Sequence, residues 1–363
     1  MTMLVRDEGD VLDAQLRFHL AVGVDFVIVT DHRSVDSTRE ILRVYEREGV
    51  ARVIEEQSEE YRPSEWRTRM ARLAATEHGA DWVFSADADE FWWPRGASLR
   101  DVFAKIPSPY GIVQGVLRHF VPVPDSEGPF YERLVYRLSP QAPINDPTSP
   151  WRPVRKLAHR ASTTITVGPG NHTVDSTSLR TLRGWYPIEV LHFPIRSGAQ
   201  LERKGAARSA AAEKFFSESF QAAAPGTAYH AVAYAAASEG TIDELLGSLG
   251  VDASDVPDAI ERGILTEDRR LRDVLRVVEG MSVAEANRAQ LELPQPSVVD
   301  EALFAADAAV LGEADMIRAR RTLDDIDARL AAVESSLPVR LERSLRSVVR
   351  RLLRRARPGA PDS

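Results

Sequence analysis

The first ninety residues switch repeatedly between two kinds of hydrophobic pattern, and few folds tolerate that alternation. Met3-Leu4-Val5, Phe26-Val27-Ile28-Val29, Arg52-Val53-Ile54 and Trp82-Val83-Phe84-Ser85 are short runs rich in strand formers. Phe26 to Val29 has no polar alternation, as expected of a strand covered on both faces. Between the runs, Asp10–Ala21, Thr38–Glu48 and a segment from about Ser64 to His78 carry helical spacing. Gly23 and Gly49 follow two of these helices as C-terminal stops, and Asp36 or Ser37 is placed to cap the second. Strand and helix alternating across short loops give right-handed crossovers and a parallel sheet. The expected fold class is α/β, a Rossmann-like, mostly parallel sheet flanked by helices. No period of about 20 to 50 residues recurs, which excludes a solenoid.

In such a sheet the chemistry lies beyond the carboxyl ends of the strands. The fourth run ends there in Asp87-Ala88-Asp89-Glu90, then Phe91-Trp92-Trp93. Two carboxylates one residue apart are hard oxygen ligands for Mg2+ or Mn2+. A solvated acidic loop is the plainer alternative for a lone D-x-D. The aromatic trio suits a sugar platform and a packed core edge about equally.

The composition narrows the chemistry. The chain has 363 residues, is 44% hydrophobic and 28% charged, and contains no cysteine, so disulfides, thiolate metal sites and a cysteine nucleophile are excluded. The first ten residues lack the charged and apolar regions of a leader, and no window approaches the roughly eighteen apolar residues of a membrane span. A cytoplasmic protein is expected. The net charge is −8, yet eight arginines face one acid, Glu342, between Val339 and Arg357. The strongly acidic remainder argues against broad nucleic-acid binding.

Two blocks together resemble family 2 GT-A glycosyltransferases, in the branch with a D-x-D-E-F motif: VRDEGDVLDAQLRFHLAVGVDFVIVTDHRSVDSTREIL at 5–42 and DWVFSADADEF at 81–91. GNH at 170–172 and LHFPIRS at 191–197 extend the resemblance to about Lys204. It implies a GT-A sheet and transfer of a sugar from a nucleotide-sugar donor to a glycan, lipid-linked or small-molecule acceptor, with inversion. It also implies Mn2+ or Mg2+ held by Asp87, Asp89 and His192, with Asp89 the direct ligand. Glu8, Asp31, Asp87 and Lys156 would hold the donor: Asp31 at the base edge, Glu8 at the base or ribose, Asp87 at the ribose, Lys156 at the diphosphate. His32 and Arg33 stand where many members carry Asp-Gly or Asn-x, a departure that bears on the nucleotide accepted.

Each of these residues has a structural alternative. Asp31 could close an Asx-turn, Asp36 is a cap rather than a contact, and a lone histidine such as His192 on an apolar strand is more often a hydrogen-bonded core residue. Arg67, Arg69 and Arg72 fit a surface ion-pair helix as well as a phosphate site. Arg196 and Lys204 are placed to reach phosphate. For the general base, Asp146, Glu189, His172 and Glu90 all remain candidates. A phosphoryl-transfer enzyme with an aspartate nucleophile is disfavoured by Phe91, which stands where such sites want Thr or Val. A non-catalytic sugar-nucleotide or carbohydrate-binding scaffold is the remaining alternative.

Three regions are expected: a transferase domain at 1–204, a helical accessory region at 205–321, and a coiled-coil-like helix with a basic tail at 322–363. Leu323, Ile326, Leu330, Val333 and Leu337 suit a short coiled-coil seam and thus a homo-oligomer. The arginine-rich amphipathic tail suits peripheral contact with the inner face of an anionic membrane; a solvated helix or a partner-binding arm fits equally.

Overall fold

The computed structural model describes residues 1–96, 98–123, 128–139, 151, 153–206, 236, 239–289, 291, 293, 294, 296, 297, 300–312, 326, 328, 329 and 332. The chain divides into two compact units, Met1–Val310 and Leu311–Ser363. The basic tail and most of the coiled-coil-like stretch lie outside the described residues. No helix among the described residues is long and apolar enough to cross a membrane.

The first unit runs β1 (Thr2–Val5), α1 (Leu12–Ala21), β2 (Val27–His32), α2 (Thr38–Arg47), β3 (Ala51–Glu56), α3 (Pro63–Thr76), β4 (Trp82–Ala86) and β5 (Glu90–Pro94). Then come α4 (Leu99–Ala104), β6 (Ile112–His119), α5 (Phe130–Arg133), β7 (Tyr136–Leu138), β8 (Val154–Arg160), β9 (Thr166–Val167), β10 (Val174–Asp175) and β11 (Ile188–His192). α6 (Gly198–Ala206), α7 (Ile242–Leu249), α8 (Val256–Glu261), β12 (Leu265–Glu267), α9 (Arg270–Val278) and α10 (Val283–Arg288) follow. Eight strands form one sheet in the order β3-β2-β1-β4-β8-β6-β11-β5. β3, β2, β1 and β4 are parallel; β8 runs against β4 and β6; β6 and β11 are parallel; β5 returns against β11. The mostly parallel α/β sheet flanked by helices is therefore the one the alternating pattern dictates.

Strand side chains alternate between two separate cores. Met3, Val5, Val27 and Val29 pack with Leu16 of α1 and with Leu42 and Tyr45 of α2. Leu271, Val278 and Ala286 of α9 and α10 join this same core. On the opposite face Leu4, Ile28 and Val83 pack with Trp66, Met70 and Ala74 of α3. Gly23 and Gly49 adopt the left-handed φ of +105° and +73° that ends their helices without steric cost.

The aromatic trio is strand rather than loop. Phe91, Trp92 and Trp93 are 0 to 2% exposed in β5, paired with Leu191, Val190 and Glu189 of β11. They form the packed core, which removes them as a sugar platform. His19 of α1 fixes this strand from beneath: its Nδ1 lies 2.8 Å from the Gln15 carbonyl, and its Nε2 accepts the Trp92 backbone N–H at 3.0 Å. Burial holds the imidazole near pKa 3, below the usual 6.5, which keeps it neutral and able to accept.

His19→Ala removes the acceptor of that buried N–H, and should cost about 1–3 kcal/mol in urea unfolding. A histidine with a depressed folded pKa contributes stability above its unfolded pKa and loses it as the pH falls through 6.5 towards 3. The parent should therefore weaken over that window more steeply than His19→Ala. Part of the slope survives in the variant, because His172 is buried and depressed to about 3 as well.

Candidate active site

β1 and β4 are neighbours, with Met3 opposite Ala86, so the Asp87–Glu90 turn leaves the sheet beside the β1–α1 loop that carries Glu8 and Asp10. β5 returns along β11, whose chain continues through Arg196 into α6 and Lys204. The topology thus gathers acids and bases that are far apart in sequence. Gly9 keeps the loop close: a Cβ there would stand 2.2 Å from the Ser37 hydroxyl. Its N–H donates to Asp36, which also accepts from the Thr38 N–H as a cap would.

Two ion clusters flank the turn. On one side Arg67 Nη2 donates to Asp87 Oδ1 at 2.7 Å and Lys156 Nζ to Asp87 Oδ2 at 3.1 Å. Lys156 also reaches Glu90 Oε1 at 2.5 Å and the Gly170 carbonyl at 2.7 Å. The second carboxylate oxygen of Glu90 accepts the Asp87 N–H at 3.1 Å, which shapes the turn. On the other side Lys204 Nζ lies 2.8 Å from Asp89 Oδ2 and 3.2 Å from Glu8 Oε1. Arg196 grips both oxygens of Asp10 at 2.8 and 3.0 Å, Glu8 at 2.6 Å and Asp89 Oδ2 at 3.5 Å. His192 Nε2 is 3.5 Å from Asp89 Oδ1, and its Nδ1 is 2.9 Å from His119 Nδ1. At that Nδ1 pair one nitrogen must accept, so the two rings share at least one neutral imidazole.

Burial alone would push every carboxyl here upward. For Asp87 the Lys156 and Arg67 charges outweigh it and hold the group well below the carboxylate range. Lys204, His192 and Arg196 do the same for Asp89. For Glu8 burial wins over Lys204 and Arg196, and its pKa is raised. Glu90 goes further: burial, with Asp87 and Asp89 nearby, drives it up to about 8 despite Lys156. Lys204 stays firmly protonated, because Asp89 and Glu8 outweigh its own burial.

The structure joins Glu8, Asp87, Asp89, Lys156 and His192, but not the other expected site residues. Asp31 lies one residue before the end of β2 on the same edge of the sheet, level with Val5, roughly two strand spacings or about 10 Å from the turn. Its side chain, fully buried, is taken by Arg39 of α2 at 2.8 Å and lines a hollow of about 90 Å³ with Leu42 and Glu55. Asp87 meets α3 instead, across the sheet. Glu189 points opposite to His192 on β11 and is held by Arg95 at 2.7 Å, Arg118 at 2.8 Å and Arg270 at 3.1 Å. Burial raises its carboxyl, but Arg118 and Arg270 draw it down to about 2. That removes it as a base at this site. Asp146 lies outside the described residues. Asn171 is turned inward rather than presented, donating to the Ser85 and Leu157 carbonyls, and His172 Nδ1 lies 2.7 Å from the Arg155 carbonyl.

A divalent ion does not fit the donor set as it stands. Every carboxylate oxygen of Asp87 and Asp89 already faces a cationic side chain or His192. Among the described residues no group of three His, Asp or Glu is disposed to hold a metal.

Arg67 is the member that sequence reasoning left out. Its signal was present: it falls within the buried face of α3, among Trp66, Met70, Ala71 and Ala74, where a surface arginine would not lie. Asp10, at the head of α1, gave no sign beyond its charge.

Residues 10–111 match the model of glycosyltransferase family 92. That segment covers less than a third of the chain and includes Arg67, Asp87, Asp89 and Glu90. The match is to family 92, not to the family 2 that the D-x-D-E-F motif resembles. No curated protein matches the chain. Among solved structures it is similar to S. aureus TarS 1-349 in complex with UDP-GlcNAc, at 13% identity and TM-score 0.32, over 52% of this chain and 57% of that one. Against S. aureus TarS 1-349 in complex with UDP the values are 12% and 0.31, over 85% and 88%. The chain thus spans little more than half of the first of these, and likenesses this distant bear on neither activity nor ligand.

Glu90, with its raised folded pKa, contributes stability below its unfolded value of 4.5 that is lost as the pH rises through about 8. Glu90→Gln cannot titrate. Its stability relative to the parent should therefore rise between pH 4.5 and about 8, read from urea midpoints across that range; a constant difference would place the Glu90 proton elsewhere.

Proposed function

We propose that the chain is a glycosyltransferase that moves a sugar from a nucleotide-sugar donor to an acceptor hydroxyl, inverting the anomeric carbon, at the Asp87–Glu90 turn. The observation that carries this is the gathering of Arg67, Lys156, Arg196 and Lys204 on two aspartates at the carboxyl edge of the sheet, with Arg67 and both aspartates inside the segment that matches a glycosyltransferase family. The family 2 resemblance is in keeping with a nucleotide-sugar donor.

In such a transfer the acceptor oxygen attacks the anomeric carbon as the bond to the phosphate oxygen breaks. The electron pair leaves with the nucleoside diphosphate, and the hydroxyl proton passes to a base. Cations fixed in advance stabilise the charge that grows on the diphosphate, at no cost of reorganisation. Asp87 and Asp89 hold those cations and, with Asp87 about one-third exposed, offer acceptors to ribose hydroxyls. Of the bases weighed from sequence, Glu189, His172 and Glu90 are committed to buried partners. The His119–His192 pair, beside Asp89, joins Asp146 as a candidate.

The test is calorimetric binding of nucleoside diphosphates together with turnover of nucleotide sugars across an acceptor panel. Asp89→Asn should cut turnover by about two to three orders of magnitude, the scale seen when one charge-stabilising element is lost. Arg276→Ala, on an exposed pair with Glu132, should leave it unchanged. Nucleotide binding without turnover on any acceptor would favour a binding scaffold; equal turnover by Asp89→Asn and the parent would remove the turn from the chemistry.

A further inference from the structure

We propose that Lys204 and Arg196 occupy the place of a divalent metal ion at this turn, so that protein cations neutralise the departing diphosphate and transfer needs no added metal. This rests on the turn being the donor site.

The arrangement of charge is what carries it. A metal-binding aspartate pair needs oxygens that face a vacant or water-filled position. Here Asp89 Oδ2 is shared by Lys204 at 2.8 Å and Arg196 at 3.5 Å, while Asp87 gives one oxygen to Arg67 and the other to Lys156. His192, the third ligand the sequence suggested, lies 3.5 Å from Asp89 and is tied to His119 on its other nitrogen. Asp87 is thus paired with Arg67 and Lys156, Asp89 with Lys204 and Arg196, Glu8 with Arg196 and Lys204, and Asp10 with Arg196 and Arg203. A dication brought against Asp89 would stand beside two like charges.

The two cations differ in freedom. The Arg196 side chain is 1% exposed, forked onto Asp10 and bonded to Glu8, and cannot leave without weakening the charge balance of Glu8 and Asp89, which are buried. The Lys204 side chain is 26% exposed at the C-terminal end of α6. An ammonium has three donors on a flexible stem, so Lys204 can keep Asp89 and also reach a phosphate oxygen. Arg196 therefore fixes the field and Lys204 follows the leaving group. As the anomeric carbon–oxygen bond breaks, its electron pair stays on the diphosphate next to the Lys204 ammonium.

The experiment uses the full chain, dialysed against EDTA. Binding of UDP, as the probe, is measured by calorimetry with and without Mn2+ or Mg2+, and nucleotide-sugar turnover under the same conditions. Affinity and turnover should each change less than about twofold with metal. Lys204→Met should weaken UDP at least tenfold and turnover at least a hundredfold in EDTA, with Lys204→Arg restoring much of the binding. Circular dichroism melts show whether each variant is folded, and the EDTA arm on the parent needs no variant. Turnover that vanishes in EDTA and returns with Mn2+ or Mg2+ would overturn the inference while leaving the donor site intact. Binding of no nucleoside diphosphate under any condition would overturn the donor site and this inference together.

Discussion

The Arg196 guanidinium sits beneath the surface with three carboxylates around it, and the local structure depends on that arrangement. Removing the charge from water is costly, and attraction to Asp10, Glu8 and Asp89 offsets the cost only while all three stay in place. Asp10 and Glu8 belong to the loop after β1, Asp89 to the turn after β4, and Arg196 to the chain leaving β11. One side chain therefore ties three sheet-edge connections into a single geometry. Its planar fork suits this in a way lysine would not, since two donors lie parallel to the Asp10 carboxylate.

Lys156 does the corresponding work on the other side, joining Asp87, Glu90 and the Gly170 carbonyl. The loops that bring these groups together adopt backbone conformations that need explanation. Asp7, Arg33 and Asn171 all have φ between 54° and 59°, in the left-handed region that costs a non-glycine residue. Two of them are held by what they bind: Asp7 accepts from the Val35 and Asp36 N–H groups, and Asn171 donates to the Ser85 carbonyl of β4 and the Leu157 carbonyl of β8. The sheet edge thus invests strain in fixing positions, as functional edges commonly do.

The parallel half of the sheet was legible in the sequence because β1, β2 and β4 carry apolar runs and glycines follow α1 and α2. β5 was not. Phe91, Trp92 and Trp93 follow three acids at once, and a strand with no polar alternation next to a charged turn resembles an exposed aromatic loop until its partner β11 is known. Asp87 and Asp89 were legible too, less from the D-x-D alone, which a solvated loop explains as well, than from its place after the fourth strand beside the first block of the resemblance. Their partners were harder to see. Arg67 looked like one of several surface arginines, and only the buried face of α3 sets it apart. Asp31 and Glu189 show the reverse: each is a buried acid on a strand, yet Arg39 in one case and Arg95, Arg118 and Arg270 in the other neutralise it away from the turn. Whether a buried acid serves chemistry or packing is settled by which cation the tertiary fold delivers, and that information is spread over nearly two hundred residues.

The most direct measurement is a crystal structure of the full chain with a bound nucleoside diphosphate. The phosphate oxygens are expected within hydrogen-bond reach, about 3 Å, of Lys204, with the ribose near Asp87 and Arg196 still forked onto Asp10. A nucleotide seated elsewhere, such as the Asp31 hollow on the α2 face, with the Asp89–Lys204–Arg196 contacts undisturbed, would contradict the assignment of donor chemistry to this turn.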